Sequence, residues 1–173
     1  MVPQGVAAMP RTTWLALLAL GACAVTPPST TPPPARDVYV HAPAAQVWDA
    51  LLVVFTDANV PIENMDRASW FLRTQDMVAS SDRASAERIQ DEVDCGRNAL
   101  GIPMMAGQVL VRVTVLLRPN VDSTGIRIQT SWHRVGPSGA VLDPSATVVA
   151  ECVSRGRLER TYLDALTARV AAP

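Results

Sequence analysis

A chain of 173 residues holds one domain of ordinary size, with a core large enough to fold alone, and leaves no room for a second. Fifteen basic residues, every one an arginine, balance sixteen Asp and Glu, so the positive field on which nucleic-acid binding depends is missing and nucleic acid is not an expected partner. The absence of lysine, beside abundant Ala and Pro, reads as coding bias and carries no functional weight.

The amino end, "MVPQGVAAMPRTTWLALLALGAC", has Arg11 followed by an apolar segment from Trp14 to Ala22. That segment falls far short of the roughly 20 apolar residues of a membrane-spanning helix, but it suits the hydrophobic region of a secretory signal peptide. Its last four residues, Leu20 to Cys23, read "LGAC" and resemble the lipobox of bacterial lipoproteins. The resemblance implies that residues 1–22 are a leader removed by a signal peptidase, and that the Cys23 thiol carries a diacylglycerol. Multiple acyl chains, such as palmitate, then hold the protein in the bilayer where one chain would only visit it. Ala24 in the second position, where Asp would favour the inner membrane, implies the outer membrane. An ordinary signal peptide with an incidental cysteine is the plainer alternative.

Residues 23–36 are Cys23 and then "AVTPPSTTPPPAR", Ala24 to Arg36, with five prolines among small polar residues. Such a segment prefers extended polyproline conformations and is expected to act as a semi-rigid tether of about 40 Å. A single domain is expected over 37–173. It starts with the short alternating strand "DVYVHAP", closed by Pro43, and an amphipathic helix in which Val47, Leu51, Val54, Phe55 and Ala58 form a stripe widened by Trp48 and Leu52. Asn59 and Pro61 should end that helix. "IENMDRASWFLRTQ" then reads as a hairpin turning at Asp66 to Ser69. Residues 76–108 carry no clear period; their middle is expected to be helix or strand.

"VLVRVTVLLRP" alternates Val109, Val111, Val113, Val115 and Leu117 against Arg112 and Thr114. Across the turn "NVDSTG", Ile126, Ile128, Thr130 and Trp132 share one face of the next strand, with Arg127, Gln129, Ser131 and His133 on the other, so the two form an antiparallel hairpin. The loop "GPSGAVLDPS" leads to a further strand with Val148, Ala150 and Cys152 on one side, and a closing helix aligns Leu158, Tyr162, Leu166 and Val170. Glu159 in its first turn and Arg169 in its last favour the helix dipole. This order is an α+β fold: an antiparallel sheet packed against an amino-terminal helix and a long carboxy-terminal helix.

The segments "APAAQVWDALLVVFTDANVPIENMDRASWFLRT", "DCG" and "CVSRGRLE" resemble the helix-grip domains of outer-membrane lipoproteins of the BamC type, a component of the β-barrel assembly machinery. The resemblance spans most of Asp37 to Val170 and rests on pattern rather than on a catalytic motif. BamC-type proteins often carry two such domains, whereas this chain has room for one. It implies a helix-grip arrangement and a non-enzymatic, periplasmic role in envelope or outer-membrane protein assembly, with a membrane contact through the lipid and an envelope protein as partner.

With Cys23 assigned to the lipid, Cys95 and Cys152 remain, and an even remainder in an exported chain reads as a disulfide. A zinc site is the rival, poorly served by two thiols without a CxxC pair or nearby His, and unpaired buried thiols are the other alternative. No metal or cofactor is expected. His41 and His133 lack an adjacent nucleophile motif and read as strand-end and solvent-facing residues. Asp91, Glu92 and Asp94 are too close together in sequence to converge on a substrate and read as a solvated turn. "GPSGA" around Ser138 lacks the nucleophile-elbow pattern. An enzyme is therefore not expected. The opening "APAAQVW" also resembles START-like families, whose sheet and last helix enclose an apolar ligand. That likeness makes Trp48, Trp70, Trp132 and Tyr162 candidates to line a cavity for a lipid or other apolar molecule, against the plainer reading that they fill the core.

Overall fold

The computed structural model describes residues 26–28, 31, 37–80, 88–97, 100–101, 108–136 and 148–172. The leader, Cys23 and Ser138 lie outside them. Strands β1 (Val38–Val40), β2 (Ile62–Asp66), β3 (Phe71–Thr74), β4 (Met77–Ser80), β5 (Val93–Asp94), β6 (Gln108–Pro119), β7 (Thr124–Val135) and β8 (Val148–Ser154) form one antiparallel sheet; helices α1 (Ala44–Asp57) and α2 (Arg157–Ala171) complete an α+β fold. The path across the sheet is β2-β3-β6-β7-β8-β5, with β1 on the edge of β7 and β4 on that of β6.

The β6–β7 hairpin is the frame. Its register is unbroken from Gln108 opposite Val135 to Pro119 opposite Thr124. Period-two alternation puts Val109, Val111, Val113, Val115 and Leu117 on a buried inner face with Ile126, Ile128 and Trp132 across from them. Both helices cover that face: α1 packs on β6, α2 on β7, and the two touch each other. Ala42, Val47, Trp48, Leu51 and Phe55 meet Leu72, Val113, Val115, Leu117 and Leu166 in the larger core cluster.

Helix α1 ends where the sequence suggests, and the reason is local. Asn59 takes a left-handed φ of 52°, while the Val60 N–H donates back to the Phe55 carbonyl and the Asn59 N–H to that of Thr56, the bonds of a Schellman ending. Ala58 is thereby the capping residue and exposed, a correction to its expected place on the apolar stripe. In the β2–β3 turn the Asp66 carboxylate accepts from the Ala68 N–H at 2.9 Å and the Ser69 hydroxyl at 2.7 Å. Those two donors, Ser69 first, hold its pKa below the ordinary carboxylate value. Trp70 closes this turn at φ 56°, a conformation that costs a non-glycine residue about 1 kcal/mol or more; its ring packs edge-on against Trp48 at 5.9 Å.

Within residues 76–108, whose middle is expected to be helix or strand, the first described element is β4. Strands β3 and β4 run along one edge of β6, Arg73 opposite Thr114 and Met77 opposite Val111, so one extra residue bulges between them. The Thr74 side chain bridges this break: its hydroxyl accepts from the Val113 N–H at 2.9 Å and donates to the Gln75 carbonyl at 2.9 Å, in a fully buried position. The later part is a short helical turn at residues 88–89 and the two-residue β5.

Candidate functional site

One row of inner-face residues crosses the sheet toward its β5 edge. Met77 opposes Val111, Val111 opposes Trp132, and Trp132 opposes Cys152. The β5–β8 pairing, with Asp94 opposite Val153, sets Cys95 across from Cys152 one step further on. The two sulfurs are bonded at 2.07 Å with Cα atoms 4.2 Å apart, the pairing expected from the cysteine count. Ile89, Val93, Val109 and Trp132 pack around Cys95 in a second, smaller core cluster. The bridge thus ties a two-residue strand, which could not hold itself by ladder bonds, to the sheet.

Between the two clusters lies a polar network. The Trp132 indole N–H donates to the Thr130 hydroxyl at 2.7 Å, and Thr130 donates in turn to Glu159 Oε1. Ser154 donates to the same oxygen at 2.7 Å and accepts from the Gly156 N–H at 3.0 Å. Gly156 is the N-cap of α2, so Glu159, three residues on, closes a capping box through the Ser154 hydroxyl instead of reaching the backbone directly. Among the described residues the second carboxylate oxygen, Oε2, is buried with no hydrogen-bond partner. This network fixes where α2 leaves β8 and therefore how it crosses the sheet.

Outside the bridge, residues 90, 91 and 93–97 with Arg155 line a cleft of about 220 Å³. It is polar: Asp94 Oδ1 accepts from the Gly96 N–H at 2.9 Å, Asp94 Oδ2 lies 3.8 Å from Arg155, and the Arg155 N–H donates to the Glu92 carbonyl at 2.8 Å. Its size and lining suit water or a small polar group rather than an acyl chain. Asp91, 83 % exposed, points out toward Arg157 at 3.8 Å. Asp91, Glu92 and Asp94 therefore do different jobs in and beside a turn and do not converge on one point.

Thr26, three positions after Cys23, also meets this edge. Thr26 and Arg97 exchange both backbone hydrogen bonds, at 2.8 and 3.0 Å, and a Cβ on Gly96 (φ 83°) would stand 2.4 Å from the Thr26 carbonyl oxygen. Thr26, a residue of the segment expected to act as a spacer, is thereby seated on the domain, with two residues between it and Cys23. The absence of a side chain at Gly96 is what allows the approach.

The four aromatic candidates divide between the two clusters. Trp48, Trp70 and Tyr162 belong to the larger, where Tyr162 lies 5.2 Å from Phe55; Trp132 belongs to the smaller. Burial, with a lesser contribution from Glu92, raises the pKa of the Tyr162 phenol above its ordinary value. His41 is exposed after β1, and His133 stands on the outer sheet face with Nε2 3.7 Å from Asp76, which also binds Arg112 at 2.8 Å. Asp37 likewise joins Arg118 and Arg127 at 3.0 and 2.8 Å. Among the described residues no group of three His, Cys, Asp or Glu side chains could hold a metal ion, and no helix is long and apolar enough to cross a membrane.

Compared with known proteins, the chain matches no family model and no curated protein. Sequence reasoning missed the Glu159 network. Its signal was present in "SRGRLE", a hydroxyl two residues before the N-cap and a glutamate three after it, but Glu159 was read only for its effect on the helix dipole.

Proposed function

We propose that this protein is a lipid-anchored component of the outer membrane, with its domain on the periplasmic side acting as a non-enzymatic protein-interaction module in envelope or outer-membrane protein assembly. The observation that carries the reading is the division of the three cysteines. Cys95 and Cys152 are joined in a disulfide, a bond that persists in an oxidising compartment, and Cys23 is left at the end of an export-like apolar segment in the sequence "LGAC". An antiparallel sheet with both helices on one face is compatible with the helix-grip arrangement of BamC-type domains, which belongs to the same proposal. The outer sheet face, whose arginines are paired with Asp37, Asp76 and Glu63, offers a polar surface for a folded partner.

The alternative, a carrier of a lipid or other apolar molecule, requires Trp48, Trp70, Trp132 and Tyr162 to surround an open space. Trp48 and Trp132 are each 2 % exposed and sit in separate clusters, packed against neighbouring side chains, which favours the interaction module.

The test is cell fractionation of the full chain and of Cys23→Ser. The unaltered protein should sediment with outer membranes and the variant should appear in the soluble periplasmic fraction. Membrane retention of the variant would refute lipid anchoring. Crosslinking in intact cells followed by pull-down should then recover an envelope protein, whereas solvent extraction yielding a stoichiometric lipid from the variant would favour the carrier.

A further inference from the structure

Arg97 joins two features at the β5 edge. Its backbone holds Thr26 through both hydrogen bonds, and its guanidinium donates to the Gly101 carbonyl at 2.7 Å. Leu100, next to Gly101 in the chain, is 82 % exposed. Arg155 lines the same cleft as Arg97, and Arg157 faces Asp91 of that cleft; each arginine is 3.8 Å from its acidic neighbour, with side chains 41 % and 59 % exposed. A leucine so exposed, on an edge that also carries half-exposed arginines with apolar stems, suits the boundary of a membrane.

Chain connectivity adds the decisive constraint. Three residues of extended chain reach roughly 11 Å, so Cys23 cannot stray further than that from Thr26 while Thr26 stays paired. The opposite end of the sheet, at the β6–β7 turn, lies far beyond that reach: the nine residues of β7 from Thr124 to Trp132 span about 27 Å.

We propose that the β5 edge is the face the domain turns toward the phospholipid bilayer. The strap at Thr26 holds the anchor against it, Leu100 enters the interfacial layer, and Arg155 and Arg157 meet lipid phosphates. The domain then stands on its disulfide edge, with the β6–β7 turn directed away from the membrane. This orientation rests on Cys23 carrying the lipid.

The experiment uses the full, acylated chain in vesicles of phosphatidylethanolamine and phosphatidylglycerol containing a nitroxide-labelled lipid. A thiol-reactive fluorophore is placed by Leu100→Cys or, separately, by Val121→Cys in the β6–β7 turn, where the side chain is 93 % exposed. The disulfide keeps the native pair from reacting. Quenching at position 100 should be at least threefold that at position 121. In a Thr26→Pro background, which removes the strap's donor outside the folded sheet, the ratio should fall toward one while the protein still floats with the vesicles; Gly96→Ala should act the same way by collision with Thr26. Equal quenching at the two positions in vesicle-bound unaltered protein would overturn the orientation, and an undiminished ratio in both strap variants would overturn the strap as its cause. Failure of the unaltered chain to float would overturn both the orientation and the anchoring reading, and is told apart because no label then reports any lipid.

Discussion

Replacing both bridge cysteines, Cys95→Ala with Cys152→Ala, should cost the domain most of the stability that the crosslink supplies. The bridge closes a loop with a sequence separation of 57. In the chain-entropy description, fixing a loop of that length removes about 14 cal/mol/K from the unfolded ensemble, which is about 4 kcal/mol at 25 °C. Some 136 residues make up the domain from Asp37 to Ala172, and an unfolding entropy of about 2.1 cal/mol/K per residue converts that loss to a fall in Tm of roughly 14 °C. Alanine keeps the buried Cys95 site apolar, so the loss reports the crosslink rather than a stranded hydroxyl. Urea unfolding followed by tryptophan fluorescence is the assay, and the slope with urea should steepen as the uncrosslinked chain exposes more surface. A loss below about 1 kcal/mol with an unchanged slope would refute the reasoning. Hydrogen exchange adds a spatial check: amides of Ile89 to Arg97 should lose protection first, because a two-residue strand has little else to hold it.

Three further perturbations test other parts of the structure. Thr74→Val should destabilise by about 1–3 kcal/mol, since it leaves the buried Val113 N–H without its acceptor, while Thr74→Ser should recover most of the loss in the same urea titration. Glu159→Ala should cost about 2 kcal/mol by leaving the Thr130 and Ser154 hydroxyls without their acceptor, and Glu159→Gln, which keeps one carboxamide oxygen there, should cost less; equal losses would show that the shared acceptor is unimportant. The raised pKa of Tyr162 makes a pH prediction: the unfolded phenol ionises near 10.0 and the folded one at higher pH, so the stabilisation is complete below pH 10 and is lost as the pH climbs through the folded value. With no lysine and only two tyrosines in the chain, Tyr162→Phe should flatten the alkaline arm of the stability curve, and an unchanged arm would contradict the assignment.

The period-two alternation of Val109 to Leu117 and of Ile126 to Trp132 specified the central hairpin and its buried face, because a one-residue slip would have turned every valine to solvent. The stripe Val47, Leu51 and Phe55, with Asn59 able to adopt a left-handed conformation, located α1 and its end; the cysteine count named the disulfide before any geometry was known. These are local or arithmetic properties, carried by each segment without its neighbours. What the tertiary structure alone decided depends on residues far apart in the chain. Met77 to Ser80 alternates too weakly to declare itself a strand and becomes one because β6 offers an open edge. Val93 and Asp94 pair with β8 where Cys95, the next residue, is bonded to Cys152. Glu159 acquires its partners when Thr130 on β7 and Ser154 on β8 arrive beside the start of α2. The seating of Thr26 on Arg97 had no signature among the prolines around it, since it depends on a bare Gly96 backbone some seventy residues later.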